Sequence, residues 1–132
     1  MKEVPTDLIS IALREDIGAG DITTDFFVPE DLRAFGRIIA RERAIVAGGQ
    51  TAAEVFRRLD PKLNVHILQP DGAVLAGGET VLEIRGAARS ILTAERVALN
   101  FLQRLSGIAT LTHQFVDAIG KSRAKILDTR KT

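Results

Sequence analysis

Three polar side chains share one face of the longest predicted helix and could bind an anion. Asn100 and Gln103 follow Arg96 at four and seven residues, the spacing of neighbours on a helix face. An arginine presents a planar fork of donors that matches the two oxygens of a carboxylate or a phosphate. Two interpretations stay open: these side chains are donors to a ligand or another subunit, or they form a solvated helix face.

A second candidate lies at the end of the printed sequence, where residues 128–132 follow the short apolar run 124–127. This segment, Asp-Thr-Arg-Lys-Thr, combines two cations with two hydroxyl groups, a chemistry suited to a phosphate or a carboxylate. In parallel α/β folds the functional groups lie at the carboxyl ends of the strands. The alternative interpretation is a basic tail without fixed structure.

Two further features are interpreted as structural. At 100° per residue, Glu95 falls inside the apolar arc of its helix, which predicts a buried carboxylate paired with an arginine. The segment 18–23, Gly-Ala-Gly-Asp-Ile-Thr, superficially resembles a nucleotide-binding loop. No strand is predicted before it and no helix clearly starts from it, so the segment predicts a tight turn instead.

The composition excludes several kinds of site and partner. Eighteen Lys and Arg against seventeen Asp and Glu give a net charge of +1, which offers no basis for non-specific binding of nucleic acid or an anionic membrane. Because Cys is absent and His66 and His113 are the only histidines, we expect no metal centre. No signal-peptide segment precedes residue 6 and no apolar run reaches the ~18 residues of a membrane span, so we expect a cytoplasmic protein.

The elements that must position these residues follow from hydrophobic periodicity and turn residues. We predict an α+β fold, with one domain over residues 1–120 and the start of a second over 121–132. Thr6 is expected to cap the first helix, and Gly107 to separate the last two. The predicted elements are helix 6–16, strand 33–47, helix 51–59, strands 63–68 and 80–85, helices 90–106 and 108–119, and strand 124–127.

Three stretches of the sequence together resemble one enzyme family. They are residues 12–24 (ALREDIGAGDITT), residues 93–110 (TAERVALNFLQRLSGIAT) and residues 128–132 (DTRKT). In this order and spacing they resemble quinolinate phosphoribosyltransferase, the carboxylating nicotinate-nucleotide pyrophosphorylase. The resemblance implies an N-terminal α/β-hammerhead domain, with an antiparallel sheet and helices, followed by an α/β barrel. It also implies the family's reaction, in which quinolinate and phosphoribosyl pyrophosphate give nicotinate mononucleotide, pyrophosphate and CO₂ with Mg²⁺ in NAD biosynthesis.

The resemblance assigns roles to residues of both candidate sites. Arg96 corresponds to the arginine that reaches a neighbouring subunit's active site and holds a quinolinate carboxylate, which implies a homodimer or a larger homo-oligomer. Arg130, Lys131 and Thr132 correspond to the segment at the end of the first barrel strand that contacts quinolinate and phosphoribosyl pyrophosphate. The family's other catalytic residues and its Mg²⁺ ligands have no counterpart in the printed sequence.

Length separates this sequence from a complete member of that family, since a whole barrel needs roughly 250 residues. We therefore expect the isolated chain to be inactive. Two alternatives stay open at this point. One is the family's homologue associated with molybdate transport, and the other is a non-catalytic hammerhead module that only dimerises.

Overall fold

A computed structural model describes residues 7–129 as four helices and five strands. In chain order they are α1 (Leu8–Ile17), α2 (Ile22–Phe27), β1 (Arg33–Ile39), β2 (Ala44–Ile45), α3 (Gly49–Leu59), β3 (Asn64–Ile67), β4 (Val74–Leu75), β5 (Thr80–Ala87) and α4 (Ala88–Ile119).

The main sheet has three antiparallel strands, with β5 between β1 and β3. Leu82 and Ile84 of β5 are buried on one face of this sheet, whereas Glu83 and Arg85 alternate onto the other. A second, two-stranded antiparallel sheet is formed by β2 and β4. The α+β class predicted from the sequence, with an antiparallel sheet and helices, is confirmed.

The core lies between the main sheet, α3 and the first half of α4. Helix α3 buries Ala52, Val55 and Phe56, which are spaced as neighbours on one helix face. At its N-terminus, the backbone N–H groups of Gly48 and Gly49 each donate to the Asp71 carboxylate at 2.9 Å. The turn predicted around Asp71 thus supplies the cap that α3 lacks in its own sequence.

The two helices predicted on either side of Gly107 are one continuous helix of 32 residues. A glycine in a helix interior costs only about 1 kcal/mol relative to alanine. The hydrogen bonds of Ser106 and Thr110 to the segment after β1 hold the helix on both sides of Gly107. The predicted break was therefore wrong. A Cβ added to Gly107 would meet no atom within 4 Å, so the glycine does not serve a close approach either.

The predicted strand 33–47 is divided into β1 and β2. The register shifts between Ile38 and Ile39, and the chain then leaves the main sheet so that β2 can pair with β4. Strand β4 and helix α2 were not predicted, because two and six residues are too few for a hydrophobic period. The first helix begins at Leu8, two residues after the start of the predicted span 6–16. Its cap is Asp7, through a 3.1 Å bond from the Ser10 N–H, and the predicted cap Thr6 lies outside the described residues.

Residues 124–127 form no strand with any other part of the chain between residues 7 and 129. A strand exists only through hydrogen bonds to a neighbouring strand, and the described residues provide no such neighbour. The first barrel strand and the domain over residues 121–132 therefore stay predictions. Arg130, Lys131 and Thr132 lie outside the described residues.

Candidate functional site

Arg96 lies on the exposed face of α4, as predicted. Its side chain is 76% exposed, and its Nε atom forms an ion pair with Oδ1 of Asp16 at 3.3 Å. The Asp16 side chain is only 20% exposed. The polar face of α4 therefore meets the last turn of α1, which brings together two charges from distant parts of the sequence.

The turn that follows α1 brings Asp21 to α4, where its carboxylate accepts from the Thr93 hydroxyl. The Gly18 N–H donates to the Arg14 carbonyl at 3.0 Å, and the Gly20 N–H donates to the Ile17 carbonyl at 2.9 Å. Gly18 has φ of 55°, a left-handed conformation that side chains disfavour. The chain thus reverses within three residues and returns Asp21 to the side of α4.

Asp21 joins this turn to both α2 and α4. Its carboxylate accepts from the Thr24 hydroxyl at 2.5 Å, from the Thr24 N–H at 3.1 Å and from the Thr93 hydroxyl at 3.3 Å. The hydrogen bonds from Thr24, the hydroxyl first, lower the pKa of the Asp21 carboxyl, and the nearby Arg96 guanidinium adds to the effect. The tight turn predicted for this segment is confirmed, but it also starts a helix, which the prediction missed.

Arg89 holds the other end of α2 and was missed by sequence reasoning. Its Nε donates to the Val28 carbonyl at 2.8 Å and its Nη2 to the Asp25 carbonyl at 3.0 Å. A cation is favourable at a helix C-terminus, where backbone carbonyls lack partners. Arg89 therefore fixes the position of α2 against α4, and no pattern in the sequence indicated that contact.

Asn100 and Gln103 are exposed, as predicted, but Gln103 and Arg96 do not line the same surface. Gln103 and Glu95 line a groove of about 900 Å³ between α4 and the segment 36–44, which also contributes Arg37. Arg96 lies beside this groove and does not line it. The structure thus separates the predicted row of three donors into two surfaces.

The prediction for Glu95 was wrong. Its side chain is exposed at the edge of the groove, and it forms no ion pair within residues 7–129. The apolar arc of α4 is wide enough to contain Glu95 by angle, but only part of that arc contacts the sheet and α3. The remainder faces the open groove, where a carboxylate stays hydrated.

Ser106 and Thr110 attach α4 to the segment that follows β1. The Ile45 N–H donates to the Thr110 hydroxyl at 2.8 Å, and the Ala47 N–H donates to the Ser106 hydroxyl at 3.0 Å. These two hydroxyls take the place of a strand neighbour for backbone amides that would otherwise be unpaired. Their spacing of four residues was the available signal, since it places both on one helix face.

Neither histidine belongs to a catalytic or metal-binding group in the described chain. His113 lies 3.4 Å from Asp117 on the same helix, and His66 is exposed on β3. Between residues 7 and 129, no three His, Cys, Asp or Glu side chains are grouped closely enough to hold a metal ion. Over the same residues, no helix has both the length and the apolar character needed to cross a bilayer.

A comparison with known protein families matches the part of the chain that contains Arg96. The family model described as "Quinolinate phosphoribosyl transferase, N-terminal domain" matches residues 21–106, which include Asp21, Thr93 and Arg96. The chain belongs to this family. The resemblance stated from three sequence stretches is therefore confirmed.

Relatives in the quinolinate phosphoribosyltransferase family match almost the whole chain. A chloroplastic nicotinate-nucleotide pyrophosphorylase [carboxylating] of Oryza sativa subsp. japonica is 43% identical over 95% of this chain and 33% of its own length. A mitochondrial quinolinate phosphoribosyltransferase [decarboxylating] 2 of Nicotiana glauca is 42% identical over 96% of this chain and 36% of its own length. The crystal structure of NadC from Streptococcus pyogenes has a TM-score of 0.89 and 42% identity over 94% of this chain and 44% of its own.

The chain thus spans about a third of the length of these two curated relatives. Their names favour the quinolinate enzyme over the homologue associated with molybdate transport. Among the predicted site residues, the structure places Arg96 on an exposed helix face beside Asp16. The role of Arg96 toward a substrate stays a prediction, as do the roles of Arg130, Lys131 and Thr132.

Proposed function

We propose that this chain is the N-terminal domain of a quinolinate phosphoribosyltransferase and that Arg96 binds a quinolinate carboxylate in a neighbouring subunit. The observation that carries this proposal is the state of the Arg96 guanidinium. It is largely exposed, its ion pair with Asp16 is a single 3.3 Å contact at Nε, and it donates no hydrogen bond within residues 7–129. A guanidinium that its own chain leaves half-satisfied is suited to an anion supplied from outside.

The chemistry of the substrate fits an arginine. Quinolinate is a planar dicarboxylate, and a guanidinium binds a carboxylate through two parallel hydrogen bonds. In the proposed reaction, pyrophosphate leaves the ribose of phosphoribosyl pyrophosphate as an oxocarbenium-like centre develops, and the pyridine nitrogen is joined to that carbon with loss of CO₂. Catalysis would rest on positioning the two substrates and on stabilising the departing charge. Arg130, Lys131 and Thr132 are proposed to contact both substrates.

Mg²⁺ is the proposed cofactor, bound together with phosphoribosyl pyrophosphate. Its charge would neutralise the pyrophosphate that leaves. The described residues include no group of three potential metal ligands, so the proposal assigns no Mg²⁺ ligand to residues 7–129. Arg96 acts on the other substrate and needs no contact with the metal.

We also propose that the protein is a homodimer or a larger homo-oligomer. The proposal is supported by the outward direction of Arg96 and by the exposed apolar side chains of α4 beyond Leu105. Sedimentation at micromolar concentration should show at least a dimer, and a monomer at high concentration would contradict it. The proposed compartment is the cytoplasm, although relatives named above are chloroplastic or mitochondrial; a fluorescent fusion of the natural gene product would locate it.

The experiment that tests the proposed function replaces Arg96 in the full-length product of the natural gene. Arg96→Ala should reduce kcat/KM for quinolinate about 10- to 100-fold, since a charge-assisted contact contributes about 1.5–3 kcal/mol. Arg96→Lys should restore only part of this, because an ammonium lacks the planar fork. Arg104→Ala is the matched control, since it removes another exposed arginine of α4. Equal activity of Arg96→Ala and Arg104→Ala would reject the proposal.

A mixing experiment tests whether the site is shared between subunits. Co-expressed Arg96→Ala and Arg130→Ala subunits should regain activity in the purified heterodimer, because one of its two sites contains both arginines. The 132-residue chain by itself should form no nicotinate mononucleotide. A confirmed heterodimer without activity would place Arg96 outside its neighbour's site.

A further inference from the structure

We propose that Asp16 is a positioning residue that fixes the Arg96 guanidinium for end-on binding of a carboxylate. The inference rests on the proposed function and concerns how Arg96 is prepared for its substrate. A guanidinium offers two faces for bidentate contact, one formed by Nε with one Nη and one formed by the two Nη atoms. Asp16 Oδ1 lies 3.3 Å from Nε as an ion pair, on the side of the first of these faces. A ligand would then bind the face formed by the two Nη atoms.

Asp16 is the better fixed member of this pair. It lies in the last full turn of α1, whose Leu13 is buried in the core, and its side chain is 20% exposed against 76% for Arg96. Two backbone hydrogen bonds close the turn immediately after it, from Gly18 and Gly20. An arginine in solvent samples many rotamers, and binding must select one of them. The carboxylate of Asp16 makes that selection before the ligand arrives.

Asp21 is also near Arg96, but its oxygens are already occupied. Oδ1 accepts from the Thr24 N–H, and Oδ2 accepts from the hydroxyls of Thr24 and Thr93. These bonds make Asp21 the cap of α2 and a link to α4. Asp16 is therefore the carboxylate that pairs directly with the guanidinium, and Asp21 supports the turn that positions Asp16.

The sign of the effect distinguishes positioning from charge. Asp16 is an anion close to the place where an anionic ligand would bind, so a purely electrostatic role predicts that its removal improves binding. A positioning role predicts the opposite, because the guanidinium regains its rotamers and its Nε competes for the ligand. We expect Asp16→Ala to raise KM for quinolinate about three- to tenfold, the cost of ordering one long side chain. The value of kcat and the KM for phosphoribosyl pyrophosphate should change less than twofold.

The test measures these constants in the full-length product of the natural gene for Asp16→Ala, Asp16→Asn and Asp16→Glu. Glu15→Gln is the matched control, because it removes one negative charge from the same turn of α1 at an exposed side chain. Asp16→Asn keeps the size of the side chain but loses the charge of the ion pair, and it should resemble Asp16→Ala. In the Arg96→Ala background, Asp16→Ala should produce no further change in KM. If Asp16 served folding alone, Asp16→Ala would raise KM by the same factor in both backgrounds.

A second measurement uses the 132-residue chain and needs no activity. In ¹H–¹⁵N NMR spectra, the Nε–H resonance of Arg96 should shift in Asp16→Ala, because the carboxylate 3.3 Å from Nε is removed, while the Nε–H resonance of Arg104 stays unchanged. An unchanged Arg96 resonance would overturn the pairing, and so would an unchanged or lowered KM in Asp16→Ala. If instead the proposed function is wrong, Arg96→Ala will have the same kinetic constants for quinolinate as the wild type.

Discussion

The first half of α4, from Ala88 to Leu105, packs against the sheet and α3, whereas the second half, from Ile108 to Ile119, is largely exposed. Ile91, Ala94 and Leu102 are among the buried residues of the first half. In the second half, the apolar side chains include Ile108, Leu111 and Phe115, which are between 54% and 59% exposed. The two halves have similar apolar spacing and different surroundings.

This difference shows what an amphipathic pattern means physically. The pattern indicates that one face of a helix gains free energy when it is covered, but it does not specify the covering surface. In the first half, the sheet and α3 cover the apolar face. In the second half, the described residues leave more than half of the surface of Ile108, Leu111 and Phe115 exposed, which is consistent with the proposed association of subunits.

A leucine-to-alanine substitution in each half should show the largest difference in the free energy of unfolding. Leu102 is 5% exposed and Leu111 is 54% exposed. We expect Leu102→Ala to lower the free energy of unfolding by about 2–5 kcal/mol because it leaves a cavity in the core. Leu111→Ala should change it by less than about 0.5 kcal/mol in the monomer. Urea denaturation of both variants measures the contrast, and equal losses would show that the second half is packed after all.

The contact between the second half of α4 and β2 should have the next largest effect on stability. Thr110→Val keeps the side-chain shape but removes the acceptor for the Ile45 N–H, which is partly buried. We expect a loss of about 1–2 kcal/mol, the cost of leaving such a donor unpaired. Thr112→Val, at an exposed position two residues later, is the control and should be nearly neutral. If both variants unfold at the same urea concentration, the hydroxyl does not anchor β2.

Two glycines of α4 should respond to alanine with opposite signs. Gly107 is helical and open, so Gly107→Ala should raise the free energy of unfolding by about 0.5–1 kcal/mol. Gly120 ends the helix with φ of 49°, where an alanine is strained, so Gly120→Ala should lower it by about 1 kcal/mol. Thermal unfolding of each variant provides the comparison. A destabilising Gly107→Ala would indicate that α4 needs flexibility at that residue.

The smallest effect concerns pH and belongs to the first half. Hydrogen bonds from the Lys62 N–H and then from the Ser90 hydroxyl lower the pKa of Asp60, as the Thr24 bonds do for Asp21. Since both folded-state pKa values lie below the ordinary 3.8, the stability they contribute is present above that pH and is lost as the pH falls below it.

Urea midpoints measured between pH 6 and pH 3 check this sign. The urea concentration at the midpoint should decrease as the pH is lowered below about 4. Ser90→Ala removes one donor to Asp60 and should make this decrease smaller. Hydrogen exchange should show the acid loss in residues 88–105. A midpoint that rises on acidification would contradict the assignment.

Much of the architecture could be predicted because local chemistry was sufficient. The spacing of Ala52, Val55, Phe56 and Leu59 indicated α3, and the glycine and proline turns delimited the strands of the sheet. Helix α2 could not be predicted in this way, since its stability comes from the Asp21 cap and from Arg89, a residue remote in sequence. Gly107 shows the same limit, because its local preference was overruled by contacts with a distant segment, the hydrogen bonds of Ser106 and Thr110 to residues 45 and 47.

By itself the sequence determined the α+β class, the family and the exposed face on which Arg96 lies, because periodicity and motif residues are local properties of the chain. Only the tertiary structure decided what surrounds that face. It turned Glu95 toward an open groove, separated Gln103 from Arg96, and placed Asp16 against the Nε of Arg96. These outcomes depend on how α1 and the segment 36–44 pack against α4, and contacts between distant segments leave no period or spacing that a single sequence reveals.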